Sequence, residues 1–139
     1  MKYPLSNQRS GIASLYWIAC LIPIVLCYFI CNTIRHNRLL EDHVISNGAT
    51  ALSFDTGSRH RVATLTYSFE VHGLKYSGSY NADDFSSGEL NYFVGRHFPV
   101  VYQRNRPGNS YLLLTEGDFK EFKMGYPDSL KWVLVYIHK

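Results

Sequence analysis

The chain has 139 residues, enough for one small domain but not for two with separate cores, which excludes multidomain enzymes. With 46% apolar and 18% charged residues it is neither a disordered segment, a collagen-like repeat, a coiled coil nor a disulfide scaffold. The formal net charge of +3 belongs to the amino-terminal part: Lys2, Arg9, Arg35 and Arg38 come before any acid, while 10 basic residues meet 11 acidic ones from Leu39 onward. The remaining domain is near neutral, so no basic face for nucleic acid is expected.

From Ser10 to Ile34 run 25 residues without a charge. A helix needs about 20 apolar residues to cross the hydrocarbon core, so residues 11–34 are predicted to span a bilayer behind a short tail, residues 1–10. Tyr16 and Trp17 near one end and Tyr28 toward the other suit the interface, with the bilayer itself as a partner. Pro23, near the middle, should kink the helix. The stretch is too long for the apolar region of a cleaved signal peptide, and no A-x-A site follows it. A lipoprotein site at Cys20 would need a leucine-like residue where the chain has Trp17. All three cysteines, Cys20, Cys27 and Cys31, lie in this stretch, so no disulfide framework is available. The positive-inside count ties, Lys2 and Arg9 against Arg35 and Arg38, and charge does not set the orientation.

Residues 35–49 are predicted as a polar connector with a turn at Asn47-Gly48, and residues 50–139 as the folded domain. A short strand is expected over Thr50–Phe54, followed by a loop at Asp55–Ser58. From Ala63 to Val71 apolar and polar residues alternate, the period of a strand with one wet face. A two-residue turn at His72-Gly73 then pairs Val71 with Leu74, Phe69 with Tyr76, Tyr67 with Gly78 and Leu65 with Tyr80, which puts apolar residues or glycine opposite one another throughout. Between Asn81 and Gly95 a short helix is expected behind a capping box from Ser86 to Glu89. Phe98–Gln103 and Tyr111–Thr115 read as paired strands about a turn at Arg104–Asn109. A second capping box, Asp118 to Glu121, introduces a short helix ended by Gly125 and Pro127. Leu130–Ile137 is too short to cross a bilayer and reads as a buried strand or a segment lying on the membrane. The predicted fold is mainly β: an amino-terminal transmembrane helix and a small antiparallel sheet of five or six strands with one or two short helices.

The run Tyr67-Ser68-Phe69-Glu70-Val71-His72-Gly73-Leu74-Lys75-Tyr76-Ser77-Gly78, then Gly95-Arg96-His97-Phe98-Pro99-Val100-Val101-Tyr102, then Pro107-Gly108-Asn109-Ser110-Tyr111-Leu112, resembles the small β domain of the domain of unknown function 3592 family. The similarity covers about half the chain, Gly48 to Leu114. It implies a bacterial membrane-attached β domain with a cytoplasmic amino terminus and no assigned catalytic residues. The chain departs from the family pattern at Gln103-Arg104, where Asp-Pro is usual, at Phe69, where tyrosine is usual, and in having a short terminal segment instead of a second membrane helix.

No two of the six histidines have metal-ligand spacing, although a zinc site from His60, His97 and an acid such as Asp83 is the arrangement to look for. Asp83-Asp84 lacks the ligand series of a calcium loop and reads as a solvated turn. Nucleophile motifs and glycine-rich phosphate loops are absent, so no catalytic residue, metal or cofactor is predicted. Basic residues gather at Arg59, His60 and Arg61, at Arg96, and at Arg104 and Arg106. If those loops meet they form an anion-attracting patch for an acidic partner or for lipid headgroups. The eleven tyrosines exceed what a small core can bury, and exposed tyrosine beside arginine is a protein-contact composition. The expected function is a non-catalytic, single-pass protein of the bacterial inner membrane whose periplasmic domain captures a protein partner at the membrane surface. One concrete form is an immunity protein that neutralises a secreted antibacterial toxin. The alternative is an accessory or structural subunit of a membrane protein complex.

Overall fold

The computed structural model describes the backbone of residues 9–55, 63–85 and 88–137, and side chains from Leu21 onward within those ranges. It divides into two units, residues 1–37 and 38–139. The first is a helix, α1, whose full extent is Arg9–Glu41 and which contains Pro23. Between Leu21 and Arg35 every residue is exposed, Tyr28 at 70% and Phe29 at 64% included. Among the described residues no helix is long and apolar enough to cross a membrane. The side chains of Tyr16 and Trp17 lie outside the described set.

The second unit is mainly β. Five antiparallel strands, β1 (His43–Asp55), β2 (Thr64–Val71), β3 (Leu74–Asn81), β4 (His97–Gln103) and β5 (Arg106–Leu112), form one sheet in the order β3-β2-β1-β4-β5. Its edge strands β3 and β5 approach each other, so the sheet is nearly a closed barrel. A short helix α2 (Glu116–Glu121) and two 3-10 segments, Leu90–Tyr92 and Asp128–Tyr136, complete it.

The expected connector is the first correction. Residues 35–41 continue α1, with Leu39 buried in the domain core, and residues 43–49 form the first half of β1. Asn47-Gly48 is not a turn but a break in register between Ser46 and Ala49, where the Gly48 amide donates to Ser46 Oγ at 3.4 Å. A second shift, between Ala51 and Ser53, interrupts the pairing with β2. β1 is the central strand, and two extra-residue irregularities sharpen its twist, which is how a five-stranded sheet can bend far enough to bring its edges together.

The β2–β3 hairpin has the expected register, from Leu65 opposite Tyr80 to Val71 opposite Leu74. His72 at φ 52° and Gly73 at φ 80° both adopt left-handed conformations at the turn, matching the twist of the strands. Tyr67, fully buried, lies across Gly78 so closely that a Cβ there would collide with the phenol ring. Its hydroxyl meets Ser110 Oγ of β5 at 3.1 Å, across the gap between the edge strands.

Four further expectations shift. Helix α2 is capped by Thr115 and Asp118, not by Asp118 and Glu121: the Asp118 amide donates to Thr115 Oγ1 at 3.2 Å and the Thr115 amide to Asp118 Oδ2 at 2.7 Å. The helix ends at Glu121, and the chain turns away at Lys123, φ 58°, before Gly125 and Pro127. The amides of Lys123 and Met124 donate to the carbonyls of Lys120 and Phe119, a Schellman closure in which lysine holds the left-handed position usually given to glycine. Leu130–Ile137 is not a strand but most of the 3-10 helix Asp128–Tyr136, with only Ile137 bridging to Phe85. With three residues per turn, Leu130 and Val133 fall on one inward ridge, and both are buried. The segment expected as a helix before Gly95 is a single 3-10 turn, Leu90–Tyr92; Ser86 lies outside the described residues.

Candidate interaction surface

Two polar centres take shape on this frame, one enclosed by the sheet edges and one open to solvent. The enclosed one is Asp118, only 6% exposed. Its Oδ2 accepts from the Tyr80 hydroxyl at 3.0 Å and the Leu114 amide at 3.0 Å as well as from Thr115, and its Oδ1 accepts from the Tyr111 hydroxyl at 3.0 Å. Tyr80 belongs to β3 and Tyr111 to β5, so one carboxylate ties the two sheet edges together. Burial first, then the adjacent Asp118 charge, pushes both phenols far above their usual range, and burial likewise raises Tyr67. Tyr126, whose hydroxyl donates toward the carbonyls of Leu130 at 2.7 Å and Leu114 at 3.1 Å, is pushed up to about 12, mainly by burial. Each of these four hydroxyls has a hydrogen-bond partner inside the fold.

The open centre begins with the fully buried Phe93 and Phe98, whose rings stack at 5.7 Å. Trp132, half-buried on the C-terminal 3-10 helix, rests on both, at 5.4 Å from Phe93 and 6.0 Å from Phe98. Arg96 lies over the outer face of Trp132, its guanidinium carbon 4.4 Å from the ring centre. Gly95, at φ 81°, makes the sharp entry into β4 that aims Arg96 this way; its amide donates to the Ala51 carbonyl, and the Ala51 amide to the Arg96 carbonyl. From Trp132 the ring ladder continues edge-on to Tyr136 at 6.1 Å, which stacks on Tyr92 at 5.5 Å. Tyr92 is 57% exposed and Val135 78%, so the ladder runs from the core out to solvent.

Beside Arg96 a cleft of about 570 Å³ opens, lined by Asn47, Arg96, His97, Pro99, Pro127, Ser129, Leu130 and Trp132. Ser129 and Trp132 both reach it because residues three apart eclipse in a 3-10 helix. The His97 ring is fixed by Thr50, Nδ1 to Oγ1 at 3.1 Å.

The basic residues singled out in the sequence do not form one patch among the described residues. Arg96 and Arg104 flank β4 at opposite ends, about 26 Å apart along an extended strand. Arg104 instead faces Asp42 at 3.8 Å, an exposed pair of small energetic weight. Arg106, also exposed, opens β5 at that same end. Arg59, His60 and Arg61 lie outside the described residues. His97 lines the cleft with Arg96, whereas Asp83 lines a separate hollow with Tyr80, Tyr111 and Asp118, so these two candidate zinc ligands stand apart. Among the described residues no three His, Cys, Asp or Glu side chains are grouped to hold a metal ion.

The expectation of many exposed tyrosines also changes. Within the described part of the domain only Tyr92 is exposed, and Tyr67, Tyr80, Tyr111 and Tyr126 direct their hydroxyls inward to bonded partners. Trp132 is the residue that sequence reasoning passed over. Its signal was a lone indole following a lysine in an apolar run, and nothing local linked it to an arginine 36 positions earlier. No family model matches the chain, and neither does any curated protein or solved structure.

Proposed function

We propose that the chain is a non-catalytic, membrane-anchored binding module whose domain grips a protein partner through the Arg96–Trp132–Tyr136–Tyr92 face. The observation that carries the reading is that face: an arginine and three aromatic side chains in one continuous ladder, braced from below by Phe93 and Phe98. Rigid aromatics with an arginine are the composition of interface hot spots. The inward-bonded tyrosines support a binding role over catalysis, because the most buried polar groups are already satisfied within the fold.

The anchor reading rests on α1. Leu21, Ile22, Ile24, Val25, Leu26, Phe29, Ile30 and Ile34 are all exposed around the helix, and an all-round apolar helix needs a surrounding apolar medium. The uncharged stretch from Ser10 to Ile34 would reach about 37 Å as a helix, longer than a hydrocarbon core of about 30 Å. The bacterial inner membrane with a periplasmic domain is the matching location, in keeping with the resemblance to the domain of unknown function 3592 family. An immunity protein that holds a secreted antibacterial toxin is the concrete form of this module. The second reading, an accessory subunit of a membrane complex, draws on Cys27 and Cys31, free and exposed one helical turn apart where another helix would pack.

The test is purification of the full chain from bacterial membranes in mild detergent, together with a challenge of cells by the toxins encoded beside the gene. A soluble toxin that co-purifies and kills only cells lacking the chain supports the immunity form. A constant stoichiometric membrane partner supports the accessory form. Recovery of the intact chain in a high-speed supernatant without detergent overturns the anchor in both.

A further inference from the structure

We infer that the cleft beside Arg96 is a carboxylate pocket, which takes an aspartate or glutamate side chain from an extended segment of the partner protein. The inference rests on the domain being a protein-binding module and adds what that module recognises. Among the described residues two basic side chains, Arg96 and His97, line the cleft and no acidic one does, while Asn47 and Ser129 add neutral donors beside the apolar surfaces of Pro99, Pro127 and Trp132. Asp128, the acid nearest in sequence to this wall, stays outside the lining and pairs with Lys131 at 2.8 Å. The cleft therefore complements negative charge from the partner.

Arg96 is also prepared for this ligand. The Arg96 guanidinium carbon is held 4.4 Å from the Trp132 ring centre, and its N–H donors match a carboxylate in a two-point contact. Trp132 is itself fixed by Phe93 and Phe98, so the arginine is partly ordered before the ligand arrives and less rotamer freedom is lost on binding. The apolar walls accept the aliphatic or proline residues beside the acid, which fits a peptide segment.

The chain has two tryptophans, Trp17 and Trp132, so Trp17→Phe leaves Trp132 as the only indole and a direct reporter of the cleft. The experiment uses this full chain in detergent micelles to select from a displayed library of random peptides. The strongest selected peptide and its twin, with Glu or Asp replaced by Gln or Asn, are then titrated by fluorescence. The expected result is enrichment of one acidic residue at a fixed position next to apolar residues, with about 10- to 100-fold weaker binding for the amide twin and for Arg96→Gln, the range of a charge-assisted contact. Arg96→Lys should fall between, since it keeps charge but loses the planar fork. Failure to enrich any peptide, enrichment without an acid, or Arg96→Gln binding within twofold of the parent overturns the inference. So does an Arg96-dependent response to phosphatidylglycerol vesicles stronger than that to the peptide. If Arg96→Gln fails to fold, the acid-to-amide twin still decides on the parent chain. Partner capture that survives Arg96→Gln removes the carboxylate pocket and leaves the binding module standing.

Discussion

Replacing Asp118 should reveal how much of the domain depends on one carboxylate. In Asp118→Ala four donors lose their acceptor: the amides of Leu114 and Thr115 and the hydroxyls of Tyr80 and Tyr111. Thr115 and Tyr111 are only partly buried and regain water, but Leu114 and Tyr80 are buried and cannot. Two orphaned donors at roughly 1–3 kcal/mol each give about 2–6 kcal/mol, a large share of the roughly 5–15 kcal/mol that holds a domain of this kind together. Asp118→Asn is milder. Its carbonyl oxygen can keep the three Oδ2 contacts and its amide can donate to Tyr111, so the loss is that of charge strengthening, about 1–3 kcal/mol. The assay is urea unfolding of the full chain in micelles, read from Trp132 in the Trp17→Phe background. Because Tyr80 and Tyr111 come from opposite sheet edges, the Tyr80→Phe and Tyr111→Phe losses should shrink sharply when Asp118 is already alanine. An alanine variant within 1 kcal/mol of the parent, or tyrosine losses unchanged in its presence, would refute the idea that the carboxylate closes the sheet.

Other substitutions test the same frame. Gly78→Ala pushes a methyl group into the Tyr67 phenol and should cost about 1–3 kcal/mol; Tyr67→Phe, which removes one of the two nearest atoms, should recover part of it in a double-mutant cycle. Lys123→Gly should raise the urea midpoint by the equivalent of about 1 kcal/mol, because the left-handed φ of 58° strains a side chain and suits glycine. At high pH the folded-state pKa values of Tyr80, Tyr111 and Tyr126 lie above the ordinary 10.0, so their contribution is complete below about pH 10 and is lost as pH rises beyond it. Urea midpoints measured across that range should fall, and the Tyr80→Phe, Tyr111→Phe double variant should flatten the fall.

The parts of the fold that could be read ahead are those whose information is local. In β2 and β3 one turn fixes the register and every apolar residue has its partner within seventeen positions, so pairing follows from alternation alone. β1 resists the same reading for a physical reason. It is the central strand, its inward positions include the small residues Ala49 and Ala51, and two register shifts break its period, so Asn47-Gly48 carries the composition of a turn inside a strand. The capping signal before α2 was ambiguous in the opposite sense. Asp118 can open a helix by itself, but it can also serve as the third residue behind Thr115, and the second arrangement wins because it satisfies Leu114 and both edge tyrosines as well. In the last segment the apolar run suggested a strand, while the buried pair Leu130 and Val133 has the spacing of a 3-10 turn.

The candidate interaction face was legible only as a list of residue types, because convergence of loops is decided by topology. Arg96, Arg104 and Arg106 lie within eleven positions, yet β4 carries Arg96 to one end of the sheet and leaves the other two at the opposite end. The same strand places Arg96 over Trp132, which no short-range pattern connects to it. Tyrosine content misled in a related way: a carboxylate and backbone acceptors inside the fold draw in hydroxyls that composition alone would assign to the surface. Once those tyrosines are bound internally, the aromatic surface left near the cleft is small, and it is the part in contact with a cation. That restriction gives the binding hypothesis its content, because it concentrates recognition in Arg96 and Trp132, where a single substitution can be read in a single indole.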